Sequence, residues 1–178
     1  MQKIVNKIPQ RLCSRDYQHD AVTLAQQLLG QFLCRRIGNK IIKRQITETE
    51  AYYGEGDTAC HAHKGKTERT KIMYYAGGYA YIYLCYGVHW MFNVVTGKAD
   101  FPEAVLIRGI DGFNGPGKLT KYLKIDKTLN GENLVESTTL WIEDGVPRSR
   151  PAYTRGKRIG IDYAVEEDKN KLWRFTIK

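Results

Sequence analysis

The segment YAYIYLCYGVHWMFNVV, residues 79–95, contains no formally charged side chain and constrains the fold more than any other part of the chain. It is rich in residues that favour strands, and Gly87 lies near its middle. It is shorter than the ~20 apolar residues that a transmembrane helix requires, and it carries several polar groups. The segment therefore predicts two buried strands joined by a turn, and nothing in it indicates a membrane protein.

Other strand and helix patterns are distributed along the whole chain. Strands are predicted at 31–37, 40–48, 79–85, 88–95, 103–110, 138–143 and 171–178, and helices at 20–30, 67–75 and 117–124. A polar loop is expected at 53–66, and residues 1–13 are interpreted as an N-terminal extension. Because no repeat or linker divides the 178 residues, we expect one α+β domain with a curved, largely antiparallel sheet flanked by a few helices.

The charge of the chain favours an anionic partner. It carries 28 Lys+Arg against 19 Asp+Glu, a formal charge of +9, which is typical of nucleic-acid binding, although a well-solvated surface is the alternative. Its four cysteines form no C-x-x-C pair, and this disfavours a zinc knuckle or a disulfide framework. The first residues lack the apolar stretch of a signal peptide, so we expect reduced thiols in an intracellular protein.

The stretch ETEAYYGEGDTACHA, residues 48–62, concentrates acids and aromatics in this basic chain. Strand alternation predicts that Ile46, Glu48, Glu50 and Tyr52 point to one face, with successive members about 7 Å apart. Two carboxylates on one face are costly to bury unless they are paired or in use. A general base therefore lies at Glu48 or Glu50, between which the residues alone do not choose, and a solvated edge strand is the alternative.

Polar groups of the chain resemble two other kinds of site, a metal centre and a phosphate-binding loop. Cys60, His61 and His63, with Asp57, could be metal ligands, but the H-x-E and P-C-x-x-C patterns of zinc deaminases are missing, so we predict no metal and expect His61 to form hydrogen bonds in a pocket. The loop GPGKLT resembles a phosphate-binding loop, yet Leu119 stands where magnesium needs Ser or Thr. Nucleotide hydrolysis is therefore disfavoured.

Aromatic and basic residues predict a DNA surface. Tyr86 lies at the expected turn, where a large ring gains little from the core and is suited to wedging between bases; ordinary packing explains any single tyrosine as well. The glycine-rich loop before Lys118 could hold a phosphate through its free amides or serve only as a helix cap. Phosphate contacts, rather than a merely solvated basic loop, are predicted for Lys118, Arg148, Arg150, Arg155, Lys157 and Arg158.

Five ordered motifs resemble the methylpurine or 3-methyladenine DNA glycosylase family, also called alkyladenine DNA glycosylase. They are ETEAYYGEGDTACHA, YAYIYLCYGVHWMFNVV, AVLIR, GPGKLTKYL and RIGIDYA, and the resemblance extends from about Arg15 to the final LWRF. Thr70 and Tyr74 depart from the usual Asn and Phe of the family, without removing a catalytic element. The resemblance implies a metal-free and cofactor-free enzyme that flips damaged purines out of duplex DNA and hydrolyses the N-glycosidic bond.

The resemblance also implies a role for each matching residue. It selects Glu50 as the base that activates water, and it leaves Glu48 a structural role. Arg108 and the main-chain carbonyl of Ile159 match groups that help to hold this water, while Tyr86 matches the wedge. The flipped base would be bound by Tyr52, His61, Tyr83 and Asn93, with Asn93 discriminating against the amino group of guanine.

The expected partner is double-stranded DNA that contains purines of the 3-methyladenine, 7-methylguanine, hypoxanthine and ethenoadenine class. A monomeric, monofunctional enzyme in a bacterial-type cytoplasm fits the resemblance and the absence of targeting signals. The sequence shows no clear general acid for a neutral leaving base. A non-catalytic DNA-binding module with the same basic and aromatic surface is the alternative function.

Overall fold

The structure is a computed structural model that describes residues 10–145 and 151–178. Its strands are β1 (Phe32–Ile37), β2 (Lys40–Tyr53), β3 (Ala80–Cys85), β4 (His89–Thr96), β5 (Glu103–Ile110), β6 (Phe113–Asn114), β7 (Leu140–Glu143), β8 (Tyr153–Gly156) and β9 (Arg174–Ile177). Its α-helices are α1 (Ala21–Leu28), α2 (Pro116–Tyr122) and α3 (Glu166–Asn170). Short 3-10 helices lie at Ser14–Tyr17, Gly54–Gly56, His61–Lys64, Lys71–Tyr74 and Lys127–Leu129. The predicted single α+β domain is confirmed.

A long central strand, β2, organises the sheet. The strand order is β3-β4-β5-β2-β1-β7, and every strand pair among the described residues is antiparallel. The first half of β2 returns from β1 through a tight turn in which Gly38 has a φ of +57°. Its second half pairs with both β5 and β9, so that residues 48–50 lie in the middle of the sheet.

The main core covers one face of this sheet. Helix α1 begins at Asp20, whose carboxylate accepts a hydrogen bond from the Thr23 amide at 2.9 Å. Its buried residues, Leu24, Ala25 and Leu28 among them, pack in the same apolar cluster as Val105 and Ile107 of β5. The opposite face of β2 to β5 is left for a smaller cluster of aromatic and polar groups, and the cavity lies there.

Most of the predicted elements are confirmed, and the exceptions have local causes. The helix predicted at 67–75 is only a 3-10 turn at Lys71–Tyr74, and the polar loop expected at 53–66 contains two further 3-10 turns. Sequence patterns missed β8, which lies in a polar basic run and forms because it pairs with β9, and they missed α3, a single short helix of charged residues. Residues 146–150 of the basic run lie outside the described part of the chain.

The alternation predicted for β2 is only partly right. Glu48, Glu50 and Tyr52 share a face, since Arg108 contacts both carboxylates and the Tyr52 hydroxyl reaches Glu50. Ile46 belongs instead to the main core on the other face. The pairing of β2 with β5 shifts register on both sides of Glu48, and such irregularities interrupt the period of two.

Candidate active site

A cavity of about 470 Å³ opens on the face of the sheet opposite α1. Side chains of β2, β3, β4 and β5 form its floor, and the segments 59–61 and 159–163 form much of its wall. Its lining mixes aromatic rings with a few polar groups, which is the usual character of a small-molecule site. The sequence-predicted pocket residues Tyr52, His61, Tyr83 and Asn93 all line it.

Glu50 lies next to the cavity, in contact with its lining residues Tyr52, Arg108 and Ile159. Its side chain is fully buried. The Ile159 amide donates a hydrogen bond to Oε1 at 2.8 Å, and the Tyr52 hydroxyl donates to Oε2 at 2.9 Å. Burial raises the pKa of Glu50, although Arg108 and these two hydrogen bonds oppose the rise. A carboxylate in this state is a stronger base than an exposed glutamate.

Glu48 differs from Glu50 in its partners. Its Oε1 accepts a hydrogen bond from Arg174 Nη1 at 2.9 Å and lies 3.6 Å from Arg108 Nε. The same Nε lies 3.5 Å from Glu50 Oε1, and this buried nitrogen has no hydrogen-bond partner within residues 10–145 and 151–178. Arg108 therefore bridges the two carboxylates by charge while this buried donor makes no hydrogen bond.

His61 lines the cavity as a neutral ring. Its Nδ1 lies 3.0 Å from the Tyr81 hydroxyl, and its edge meets the ring of Tyr83 at a centroid distance of 4.4 Å. Burial, with the nearby charge of Arg69, lowers the pKa of His61 to about 4. His63 is exposed, and its Nδ1 lies 2.8 Å from the Glu55 carbonyl.

Asn93 is fixed by the sheet. It lies opposite Tyr81 in the pairing of β3 with β4, and its Nδ2 donates to the Tyr81 carbonyl at 3.1 Å. Only 3% of the residue is exposed. This rigid placement leaves the amide oxygen as a fixed acceptor group at the cavity wall.

Tyr86 lies at the tip of the β3–β4 turn, as the sequence predicted. It is 90% exposed and has a φ of +49°, a backbone conformation that a bulky residue rarely adopts. The neighbouring Val88 is 69% exposed. An aromatic ring projects here beside the cavity that it also lines, so the site combines a concave pocket with a protruding side chain.

One predicted DNA contact is wrong. The side chain of Arg158 is fully buried, and its Nη2 donates to Asp57 Oδ1 at 2.9 Å. The guanidinium also lies against the rings of Tyr52 and Trp173, 5.0 Å from each centroid. It is therefore unavailable to a phosphate, because the basic run turns inward at this residue to pair with a buried acid.

The other basic residues have different positions. Arg155, Lys157 and Lys118 are exposed, with Arg155 lying over the ring of Phe175 and Lys157 bonded to Asn170. Arg148 and Arg150 lie outside the described residues. Among the described residues, no group of three or more His, Cys, Asp or Glu side chains is placed to hold a metal ion. Asp57, weighed as a metal ligand from the sequence, is occupied by Arg158.

Sequence reasoning missed two features of the site, Arg69 at its rim and the role of the Asp57–Arg158 pair. Asp57 lies in a polar loop and Arg158 in a basic run, and 101 residues separate them in the chain. No local sequence pattern therefore indicates that they form a pair. Arg69 lies in a charged loop that reads as solvated.

Comparison with known proteins identifies the family. The family model described as methylpurine-DNA glycosylase matches residues 15–113 and 111–178, which together include every residue of the site described above. The chain belongs to the methylpurine-DNA glycosylase family.

Relatives of this glycosylase family occur in diverse bacteria. A protein of Borrelia garinii subsp. bavariensis is 47% identical over 174 residues, covering 91% of this chain and 93% of the relative. One from Natranaerobius thermophilus is 42% identical over 184 residues, and one from Legionella pneumophila (strain Paris) is 41% identical over 169 residues. Their names describe all three, provisionally, as 3-methyladenine DNA glycosylases.

Membership in the family makes the protein a DNA glycosylase of base-excision repair, with DNA as its substrate. This explains the formal charge of +9, since Lys and Arg neutralise backbone phosphates. No helix in the described part of the chain is long and apolar enough to cross a membrane.

Proposed function

We propose that this glycosylase flips a damaged purine out of duplex DNA into the cavity and hydrolyses its N-glycosidic bond, with Glu50 as the general base. The observation that carries the proposal is the fully buried Glu50 carboxylate beside the unpartnered Nε of Arg108. A buried anion with a raised pKa is suited to take a proton from water and to stabilise a positive charge nearby.

In the proposed reaction Glu50 removes a proton from a water molecule whose oxygen attacks C1′ of the deoxyribose. The bond between C1′ and the purine nitrogen breaks, and its electron pair leaves with the base. Positive charge that develops on the sugar faces the carboxylate. Arg108 Nε supplies a free donor beside Glu50, and it is the proposed holder of the water.

Ile159 contributes to the proposed site through its backbone amide, in addition to the carbonyl that the family resemblance implied. Its amide, rather than its carbonyl, contacts Glu50, at 2.8 Å. This hydrogen bond orients the carboxylate. A contact between the Ile159 carbonyl and the water stays a prediction.

The proposed base pocket uses rings on two sides and amides at the wall. Tyr52 lies on the Glu50 side, Tyr83 and His61 lie in edge contact, and Asn93 presents a fixed amide that would reject the amino group of guanine. Stacking in such a pocket offsets the few kcal/mol that unstacking a base costs. Damaged bases cost less to unstack, which favours lesions over normal purines.

Tyr86 is the proposed wedge that fills the gap left by the flipped nucleotide. Its exposure and its place at a hairpin tip support this role. Lys118, Arg155 and Lys157 are proposed to contact backbone phosphates, and Arg148 and Arg150 keep the same prediction. We further propose a monomeric, monofunctional enzyme that acts on chromosomal DNA in a bacterial-type cytoplasm.

Base release from defined duplexes tests the proposal. Duplexes carrying 7-methylguanine, hypoxanthine or ethenoadenine are incubated with the protein, and abasic sites are revealed by alkaline cleavage. We expect abasic product with the wild-type chain, no strand cleavage before alkali, and loss of product in Glu50→Gln by a factor of about 10³ with DNA binding intact. Glu48→Gln is the matched control, because Glu48 lies two residues before Glu50 on the same face of β2.

Two results would contradict the proposal. Equal activity in Glu50→Gln removes Glu50 as the base. Salt-sensitive binding to all duplexes with no abasic product from any lesion favours a non-catalytic DNA-binding module instead.

A further inference from the structure

Arg69 is a cation at the rim of the cavity for which the proposed mechanism has no use. Its guanidinium carbon lies 5.2 Å from the ring centroid of Tyr83, and the residue lines the cavity although it is exposed. The turn that carries it is fixed by the adjacent Thr70, which is 3% exposed and whose hydroxyl donates to the Gly65 carbonyl at 3.1 Å. Arg69 is thus held beside the proposed base-stacking ring.

Only two cationic side chains line the cavity among the described residues, Arg69 and Arg108. Arg108 lies between Glu48 and Glu50, so its charge is matched by two carboxylates on the sugar side of the proposed site. Arg69 lies at the opposite wall with Tyr81, Tyr83 and His61, and no described acid is ion-paired with it. Arg174 and Arg108 together balance Glu48 and Glu50, so Arg69 is the cavity-lining cation whose charge no described acid balances.

His61 does not supply an acid beside Arg69. Its low pKa keeps the ring neutral near pH 7, and Tyr81, with a pKa raised by burial to about 12, keeps its proton. The positive charge of Arg69 lies close enough to Tyr81 to lower the pKa of its hydroxyl, against the larger effect of burial. When the Tyr81 hydroxyl donates to His61 Nδ1, 3.0 Å away, Nε2–H is the donor that His61 can offer a base.

We propose that Arg69 is the residue that lets this glycosylase release neutral purines: its charge, beside the Nε2–H donor of His61, stabilises the electron pair that the leaving base takes from the broken glycosidic bond. The inference rests on the proposed function. A neutral base such as hypoxanthine departs from C1′ with both bonding electrons and becomes an anion unless it is protonated. Its departure is therefore favoured by a fixed positive charge and a fixed N–H donor on its side of the site.

Cationic lesions respond differently to the same charge. The base of 7-methylguanine is positive in the bound nucleotide and neutral after it leaves. Arg69 repels this base in the bound state and interacts weakly with it in the transition state. For a cationic lesion, Arg69 therefore raises the half-saturating concentration and raises the maximal rate by similar factors. These two factors cancel, so the ratio of the maximal rate to the half-saturating concentration stays unchanged.

The test measures single-turnover rates as a function of enzyme concentration on matched duplexes that carry hypoxanthine or 7-methylguanine. For Arg69→Met we expect the ratio of maximal rate to half-saturating concentration to fall about tenfold with hypoxanthine, an exposed cation being partly screened. With 7-methylguanine we expect the ratio to change less than about twofold, while the half-saturating concentration itself decreases. Arg69→Lys, which keeps the charge, is expected to restore most of the hypoxanthine rate.

Lys66→Met is the matched control, because Lys66 is a cation of the same loop that lies over Tyr74, at 5.3 Å, and does not line the cavity. Equal losses on both lesions, no loss on either, or failure of Arg69→Lys to restore the rate would overturn the inference. Each of these outcomes leaves the proposed function standing, provided that the wild-type chain releases both bases. Absence of release by the wild-type chain instead contradicts the proposed function itself.

Discussion

Two buried carboxylates of this protein, Asp57 and Glu50, lie beside arginines but differ in how completely they are hydrogen-bonded. Asp57 accepts hydrogen bonds from both terminal nitrogens of Arg158, and the backbone amides of Tyr53 and Ala59 donate to its two oxygens. Glu50 accepts hydrogen bonds from one amide and one phenol, and its arginine, Arg108, stays 3.5 Å away. Asp57 and Arg158 are joined by direct hydrogen bonds, whereas Glu50 and Arg108 interact by charge without one.

The difference shows how one fold separates structure from chemistry. Four hydrogen bonds satisfy the Asp57 oxygens, and Asp57 raises the pKa of Arg158 against the effect of burial, so this pair stays charged and fixed. Burial raises the pKa of Glu50 by more than its partners lower it. Its ionised form is therefore less stable than that of an exposed glutamate and takes up a proton more readily. The two are also connected, because Arg158 precedes Ile159 in the chain and donates to the Ala51 carbonyl next to Glu50.

The largest expected effect is on the pair of Asp57 and Arg158. Arg158→Met leaves a buried Asp57 without its cation, and we expect a loss of about 3–5 kcal/mol in the free energy of unfolding. Denaturant unfolding measures it, with Arg155→Met as the control from the same basic run, expected to lose less than about 1 kcal/mol. Similar losses in the two variants would show that the pair is no more structural than a surface charge.

The next effect is on the pair of Glu50 and Arg108. Arg108→Met is expected to lower the rate of base release about 10²-fold, because it removes the free donor beside Glu50. The acid limb of the pH–rate profile should move to higher pH, since Arg108 holds down the pKa of Glu50 and ionised Glu50 is the active form. Arg174→Met, which removes a partner of Glu48 and of the Lys157 carbonyl but no contact of Glu50, should leave the rate near wild type. An acid limb at the same pH in Arg108→Met would show that the acid limb does not report the ionisation of Glu50.

A smaller effect of opposite sign is expected on stability. The pKa of Glu50 is higher in the folded than in the unfolded chain, so its ionised form destabilises the protein at pH 7 and its protonated form does not. Glu50→Gln should therefore gain on the order of 1 kcal/mol in unfolding free energy at pH 7. The gain should shrink as pH falls through the raised pKa. A loss of unfolding free energy in Glu50→Gln at pH 7 would mean that the fold stabilises the ionised Glu50 carboxylate as well as it stabilises that of Asp57.

The smallest effect is expected for Glu48→Gln. Its negative charge raises the pKa of Glu50, so its removal should move the acid limb of base release to lower pH with little change in the maximal rate. A pH–rate profile in single turnover measures the shift. Loss of base release as large as that of Glu50→Gln, in a folded protein, would show that the two glutamates share the base role.

Much of the site followed from local sequence. The alternation of β2 placed Glu48, Glu50 and Tyr52 on one face, and the uncharged segment at 79–95 gave the hairpin that carries Tyr83 and exposes Tyr86. Both depend on neighbours in the chain, and the strand period of two is a local property. The strand β8 and the place of Ile46 did not follow, because pairing partners and register shifts set them.

By itself, the sequence determined the α+β class, the positive charge and the residue types needed for the chemistry, since composition and periodicity are written along the chain. The choice of Glu50 over Glu48 came first from family resemblance, and the contacts that distinguish the two glutamates came from the tertiary structure. Arg158 changed from a predicted phosphate contact to a buried partner of Asp57, and Arg69 became part of the cavity, for the same reason. Burial and the pairing of charges depend on which distant segments meet, and that is decided only when these segments pack against the sheet.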